Sequence, residues 1–542
     1  MSNFISRTKN DMHYLFVKSK TLSKKNKKKK HRAIGFIIGI PLIILQLVTM
    51  ILFLLQIFKL DILPLKYLIG LNAFLLLILG YNLLSQFTKA HIIGKILSVF
   101  LSGIMIFGFL FSSKVISSLN KVNSGISTRT DTVDIVVLNN DPASNIKETI
   151  SYTYGFSSNI NSDIVTKAMN DINVDYSVVL ATKEFSSGDA LVNALYENTE
   201  IKAIAVMDSM YITLCEQNED FDEKTKIVGT VAITTETKLS ATEKKVNEEP
   251  FIVYLSGTDT ENGVEGCEGV TLRGRTDVNI LAVCNPTTRQ MLLISTPRDS
   301  YVTISTASGK TGLDKLTHAS NSGVEYSIDA LKRLYGVTAD YFVRINFTGC
   351  VNIVNALGGI TINSDVEFTN GWEAWYNSYH YNIGPNECDG DRTIAFVRER
   401  KAFANGDFQR GKNQEAALQG IIDKATSPAI LTNYSAVLDS ISDVMLTNMP
   451  TSTISALVKG QLNDSRPWNI QSYSIDGTTG TRDCPLSDIY GASVVFPDTD
   501  SINCAIQMMS KTTNGEIFDV DEFAEQYMES LSSTASTTKS NN

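Results

Sequence analysis

The distribution of apolar and polar positions divides the chain into unlike stretches. Ile34 to Phe58 is an almost unbroken apolar run of 25 residues, and Leu65–Leu84 and Ile92–Phe111 repeat the pattern. A bilayer core takes roughly 20 such residues as a helix, so the pattern predicts three transmembrane helices within 33–113. A cleaved signal peptide would have a shorter apolar core and a single such run, and that reading is rejected. No Asp or Glu falls inside a span, which argues for an anchor and against an ion pathway.

After residue 113 the period changes. Residues 114–130 are polar and Ser/Thr-rich, and read as a linker. Over 131–233, strand-like VDIVVL, YSVVLAT and IKAIAVM alternate with helical patterns at Ser162–Asn173 and in GDALVNALYENT, predicting a small α/β accessory domain. Residues 234–250 are charged and turn-rich, a second linker. Over 251–523 the pattern predicts strands at Phe251–Leu255, Val278–Cys284, Met291–Ile294, Tyr341–Ile345 and Gly359–Ile362. Helical periods fall at Tyr326–Tyr335, Gly349–Leu357, Arg392–Lys401 and Gly411–Ala425, with more between Asn433 and Leu462. Helices falling between strands make this an α/β mixed-sheet sandwich. The low-complexity end, 524–542, is expected to be disordered.

Charge orders these pieces. Residues 1–32 carry a net charge of +10, residues 33–113 of +3, and residues 114–542 of −22. A basic head, an apolar middle and an acidic body is a membrane-protein layout, and it excludes nucleic acid as a partner of the body. The Lys-rich head is expected in the cytoplasm; an odd number of spans then places the body outside. All seven cysteines lie in the body without CxxC spacing, which argues against a structural zinc site. Cys284 and Cys350 read as buried thiols, while Cys484 and Cys504 sit in polar surroundings and are candidates to pair.

The candidate chemistry centres on LLISTPRD, residues 292–299, where a strand ends and Arg298 stands beside Asp299. Arg275 and Asp277 precede an apolar strand, Asp259 follows another, and Arg398 and Arg400 come from FVRER. Arginine forks suit phosphate oxygens and paired aspartates suit a divalent cation. One such residue alone reads best as a surface charge, but ten of the body's 13 arginines lie between Arg273 and Arg410, and 131–250 contains none. On a continuous helix Arg398 and Arg400 would stand about 200° apart, so they converge only if the helix ends or bends near Lys401. Asp407, Arg410 and Gln414 have spacings that share a helix face. No Ser-His-Asp triad or Walker-type loop is evident.

The blocks YLSGTD, GRTDVNIL, LLISTPRDSYV, DKLTHA, YFVRINFTGCVNIVNALGGITI and FVRERK…DFQRGKNQ, in this order, resemble the LytR-CpsA-Psr family over about residues 251–430. Three spans and an extra domain before the core are most similar to its capsular-polysaccharide branch. The resemblance implies a membrane phosphotransferase of a Gram-positive-type envelope, moving a glycopolymer from a polyprenyl pyrophosphate lipid onto peptidoglycan. It implies that Asp259 and Asp277 hold Mg²⁺ (or Mn²⁺), and that Arg275, Arg298, Arg398 and Arg400 clamp the pyrophosphate. Lys315, Arg410 and Gln414 would bind the substrate. Asn413 stands where many relatives carry another arginine. Asp299 or Asp407 is the candidate general base, with an orienting role preferred for Asp299. Two other readings are a non-catalytic lipid-pyrophosphate binder that regulates the envelope, and a polyprenyl-pyrophosphate pyrophosphatase without transfer.

Overall fold

The computed structural model describes residues 22–86, 90–124, 129–157, 162–218, 220–235, 241–258, 274–371, 378–404, 406–427, 445–487 and 489–539, with a few isolated positions besides. Two compact units emerge: residues 1–118 with 454–465, and 119–453 with 466–542.

The first unit holds three helices long and apolar enough to cross a membrane: α1 (Lys24–Leu60), α2 (Leu65–Ser85) and α3 (His91–Ser124). The basic run from Lys24 is already helical, capped by Ser23, whose Oγ accepts from Asn26 N. Most apolar side chains face outward, as a lipid-facing surface requires. The inward positions are partly polar. Gln46 of α1 accepts hydrogen bonds from Asn82 of α2 and Ser98 of α3, both at 2.8 Å, and all three are buried. Residues 114–124, read from sequence as linker, continue α3 instead, because nothing in their Ser/Lys/Asn content breaks a helix already under way. Residues 454–465, which fall inside the 251–523 stretch and largely in α12 (Thr451–Asn463), group with this unit, where Lys459 Nζ lies 2.7 Å from Asp61 Oδ1.

In the second unit, β1 (Arg129–Leu138), β2 (Thr153–Ser157), β3 (Ala181–Phe185), β4 (Ala203–Met207) and β5 (Thr225–Thr235) form one sheet in the order β3-β2-β4-β1-β5. Helices α4 (Ser162–Tyr176), α5 (Gly188–Glu197) and α6 (Asp208–Gln217) bury Ile164, Leu191, Leu195 and Leu214 against it. α4 runs to Tyr176, so the strand expected at YSVVLAT begins only at Ala181.

A six-stranded sheet has the order β14-β11-β6-β7-β8-β15, with β6 (Phe251–Thr258), β7 (Thr276–Asn285), β8 (Gln290–Ser295), β11 (Tyr341–Asn346), β14 (Met445–Thr447) and β15 (Asn469–Ser474). β6–β7 and β7–β8 are antiparallel, whereas β11–β6 and β15–β8 are parallel. Alternation along β8 sends Leu292 and Ile294 into a core shared with α8 (Val324–Tyr335) and α13 (Thr499–Asn514). Its other face meets α11 (Gly406–Thr426), whose Gly411 approaches Ser295 and Ser474. A third core joins α9 (Phe347–Ala356), α10 (Gly390–Arg398) and α11 to β12 (Ile360–Ser364) and β13 (Gly384–Cys388). β9 (Tyr301–Ser305) and β10 (Thr311–Lys315) form a hairpin followed by the single turn α7 (Leu316–Ala319), and β16 (Gly477–Cys484) pairs with β17 (Ile489–Pro497).

Two further expectations are corrected. The end of the chain is helical as α14 (Val520–Lys539), because Phe523, Ala524 and Tyr527 anchor its first turns on the core. Cys484 and Cys504 are each buried and free, in different apolar clusters, and Cys267 lies outside the described residues. Burial pushes the Cys484 thiol up to about 12.

Candidate functional site

The turn after β8 is fixed by its backbone, leaving its side chains to face outward chemistry. Thr296 N donates to Asn279 O, Ile475 N to Ser295 O, Val495 N to Asp299 O, Leu316 N to Ser300 O and Thr317 N to Arg298 O, at 2.9–3.0 Å. Strands on either side, the β16–β17 hairpin and α7 thus hold five of the six residues from Ser295 to Ser300. Thr296 Oγ1 and Tyr335 OH, 2.7 Å apart, pin the turn to the core beneath.

From that turn the Arg298 guanidinium donates to the Asp277 carboxylate, and its Nε lies 3.8 Å from Asp299 Oδ1. Lys315 Nζ stands 3.1 Å from the same Asp299 oxygen. All four side chains keep only 12–20% exposure, so water screens them weakly. Burial pushes the Asp299 carboxyl up, but Arg298, Lys315 and Arg410 together outweigh it and hold the group below the usual carboxylate range. A carboxylate so held accepts a proton poorly, so the geometry favours an orienting role for Asp299 over a base. Among the described residues, three cations here face two carboxylates, a local positive excess within a strongly acidic body that suits an incoming polyanion.

Arg275 sits at the start of β7 and is 2% exposed. Its turn depends on Gly274, whose φ of +113° a side chain would strain. Gly274 N donates to Ser320 O at 3.1 Å, and Ser320 Oγ donates back to Gly274 O. Beneath them lies Arg344 of β11, fully buried, to which the sequence reading assigned no role. It donates to Ser256 Oγ and Thr276 Oγ1, both at 3.0 Å, and to Gly274 O at 2.8 Å. The available signal was an arginine inside the apolar strand YFVRIN, at an inward position where a charge must have partners.

α10 stops at Arg398, and Glu399 is extended, so the helical angle between Arg398 and Arg400 does not apply. Arg398 lies over the Phe347 ring, 4.6 Å from its centroid, and Arg400 is exposed. Between them Glu399 turns inward and accepts from Ala402 N at 2.9 Å and from Gly371 N. The loop returns so tightly that a Cβ on Gly406 would sit 2.4 Å from the Arg400 carbonyl oxygen. This brings α11 alongside. Arg410 on it is 9% exposed and acts on Asp299, with half-buried Gln414 one turn later. Asn413 is buried and donates to Phe396 O at 3.1 Å, bracing α10 against α11. Glu415, also absent from the sequence reading, is buried against Ser474, its Oε1 2.5 Å from Ser474 Oγ.

The structure thus gathers Asp277, Arg298, Asp299, Lys315 and Arg410. Asp259 lies outside the described residues, as does the side chain of Asp407. Asp277 offers the hard oxygen donor that Mg²⁺ takes, and it fits that ion provided Arg298 shares the carboxylate.

A family model described as "LytR_cpsA_psr family" matches residues 210–511. A polyisoprenyl-teichoic acid–peptidoglycan teichoic acid transferase TagU of Enterococcus faecalis is 34% identical over 204 residues, 38% of this chain and 63% of the relative. The protein of the same name from Bacillus licheniformis is 32% identical over 204 residues, covering 38% and 61%. The chain therefore spans less than two thirds of the length of these curated relatives. Among solved structures, Bacillus subtilis TagV is similar at 20% identity with a TM-score of 0.40, covering 50% of this chain and 99% of that one. Protein gbs0355 of Streptococcus agalactiae is similar at 25% identity with a TM-score of 0.43, covering 51% and 92%. The match to the family model takes in more than half of the residues, and the chain belongs to the LytR_cpsA_psr family.

Proposed function

We propose that this chain is a Mg²⁺-dependent phosphotransferase that moves a glycopolymer, a capsular polysaccharide or a teichoic-acid-like chain, from a polyprenyl-pyrophosphate carrier onto peptidoglycan. The observation that carries the reading is the group of Arg298, Lys315 and Arg410 around Asp299, beside Asp277. The relatives named as teichoic acid transferases support it. In the reaction an acceptor sugar hydroxyl attacks the glycan-bearing phosphorus, a P–O bond to the acceptor forms, the pyrophosphate bridge breaks, and polyprenyl phosphate leaves, the hydroxyl proton passing to the departing phosphate or to water. Such transfers need positioning and charge neutralisation more than covalent help. Arg298 binds the pyrophosphate, Asp277 keeps its guanidinium aimed, and Asp299 does the same for Arg298 and Lys315. Arg275, Arg398, Arg400 and Gln414 complete the contacts to phosphate and head group. Mg²⁺ held by Asp277, with Asp259 as the second ligand, would supply further neutralisation of the phosphate oxygens.

The three apolar helices make the chain an integral membrane protein in this reading, with the Lys-rich end cytoplasmic and the body on the outer face. There lipid pyrophosphates are the activated donors and nucleotides are scarce.

The test is the full-length chain in detergent micelles, given polyprenyl-pyrophosphate glycan and a peptidoglycan oligomer with and without Mg²⁺. A covalent glycan–peptidoglycan product that needs Mg²⁺ and falls sharply in Arg298→Ala is expected. Release of polyprenyl phosphate without that product would instead make it a pyrophosphatase. Bound lipid with no turnover would make it a binder.

A further inference from the structure

Asp314, His318 and Cys484 meet beneath the segment that carries Lys315. Asp314 is the penultimate residue of β10 and His318 lies four residues on, in α7. Cys484 ends β16, where the register with β17 shifts. All three are buried, and one donor atom from each lies within 4.8 Å of the others. None belongs to the site around Arg298.

Asp314 Oδ1 is already used: it accepts from Lys315 N and is paired with His318 Nδ1, both at 2.7 Å. Asp314 Oδ2 is buried and meets no nitrogen or oxygen donor; the Cys484 thiol is the polar group that faces this carboxylate. Met only by a thiol, a weak donor, that carboxylate keeps most of its desolvation cost unless a cation takes the place of the thiol proton. Thiol, imidazole and carboxylate together form a mixed S/N/O set, which suits Zn²⁺-type ions and not Mg²⁺, a cation that takes oxygen ligands alone. Tetrahedral zinc, with bonds of about 2.0–2.3 Å, sets its donors about 3.3–3.8 Å apart. With the donors within 4.8 Å of one another, side-chain shifts of about 1 Å, and the Asp314–His318 hydrogen bond giving way to the ion, close the cluster. His318 also lines a cleft of about 170 Å³ with Ser162, Asn321 and Ser487 on its walls, which provides a route in and room for a fourth ligand such as water.

We propose that Asp314, His318 and Cys484 bind a Zn²⁺-class cation at a second site, separate from the Mg²⁺ expected at Asp277. Such an ion ties the β10–α7 segment to the β16–β17 hairpin and so fixes the backbone from which Lys315 reaches Asp299.

The full-length chain in detergent, reduced and stripped by a chelator, is titrated with Co²⁺ as a spectroscopic probe. One Co²⁺ per chain is expected, with thiolate-to-cobalt charge-transfer absorption and tetrahedral ligand-field bands. Zn²⁺ bleaches both at one equivalent, while excess Mg²⁺ leaves them. Cys484→Ser, nearly isosteric, removes the charge-transfer band, and Asp314→Asn and His318→Gln each weaken binding at least about tenfold. Absence of the charge-transfer band in wild type, or its persistence in Cys484→Ser, overturns the proposal. The wild-type titration decides alone should a variant fail to fold.

Discussion

Lys315 Nζ lies 3.1 Å from Asp299 Oδ1, the same oxygen that Arg298 Nε approaches at 3.8 Å. One carboxylate thus orients two cations that come from different elements, the turn after β8 and the end of β10. Lys315→Met removes both the charge and the hydrogen bond, and the Asp299 carboxyl rises. The sign follows from linkage: a carboxyl lower in the folded state contributes stability that is present above its unfolded value and lost as pH falls through the folded one. Wild type is therefore expected to keep this contribution into more acidic solution than Lys315→Met does. Thermal melts of the full chain in detergent between neutral and acid pH measure it, and superimposable profiles would remove Lys315 from the network.

Arg298 and Asp277 make a charge-assisted contact that a lysine reproduces poorly, because an ammonium is a point charge without a planar fork. Both Arg298→Ala and Arg298→Lys are expected to lower transfer about 10²–10³-fold, and Arg298→Ala, which leaves Asp277 and Asp299 without their main partner, is expected to lower the melting temperature as well. Asp277→Asn keeps the shape, loses the carboxylate, and is expected to shift the Mg²⁺ dependence upward about 10–100-fold. Rate measurements across a Mg²⁺ titration separate the two effects.

Arg344 serves the site from below. Arg344→Met strips partners from Ser256, Thr276 and Gly274 in a buried place, and is expected to cost about 2–4 kcal/mol of stability. Arg344→Lys restores charge without the fork, so it should recover part of the stability and little of the transfer. Denaturant unfolding together with single-turnover rates would show it; a variant as stable as wild type would mean the turn stands without it.

Glu415 titrates in the opposite sense to Asp299. Burial pushes its carboxyl up, against hydrogen bonds from Ser474, Ser472 and Ser295 that lower it. A carboxyl raised in the folded state contributes stability below its unfolded value and loses it as pH climbs through the folded one. Glu415→Gln removes that loss, so it should be as stable as wild type in acid and more stable at pH 8, by roughly 1 kcal/mol or less. Melts at both pH values test it.

How much of this could be read from sequence depended on whether the cause was local. The three membrane helices and most strands follow from hydrophobic period alone, which is why their cores were legible and their ends were not. α3 overran its expected end by a dozen residues, since polar side chains permit a helix that apolar ones began. α14 looked disordered by composition, yet Phe523 and Tyr527 hold its start through a core assembled from distant segments. Within the site, Arg298 and Asp299 announced themselves as charges at a strand end and Arg410 by its helical spacing, whereas Lys315 came only with the resemblance to the family. Arg344 and Glu415 did not, because what makes them matter is burial among partners far away in the chain. The Asp314–His318–Cys484 cluster was hidden for the same reason: 166 residues separate its last two members.

Gln46 Oε1 finds its two donors, Asn82 Nδ2 and Ser98 Oγ, only when all three membrane helices are present. Hydrocarbon offers no water to replace a missing partner, and an unmatched amide there costs several kcal/mol. The first helix on its own therefore enters the bilayer with an unmet acceptor, and the second and third complete it. Loss of any one span therefore leaves a polar group in hydrocarbon without its partner, so the three helices depend on one another for more than the length each contributes.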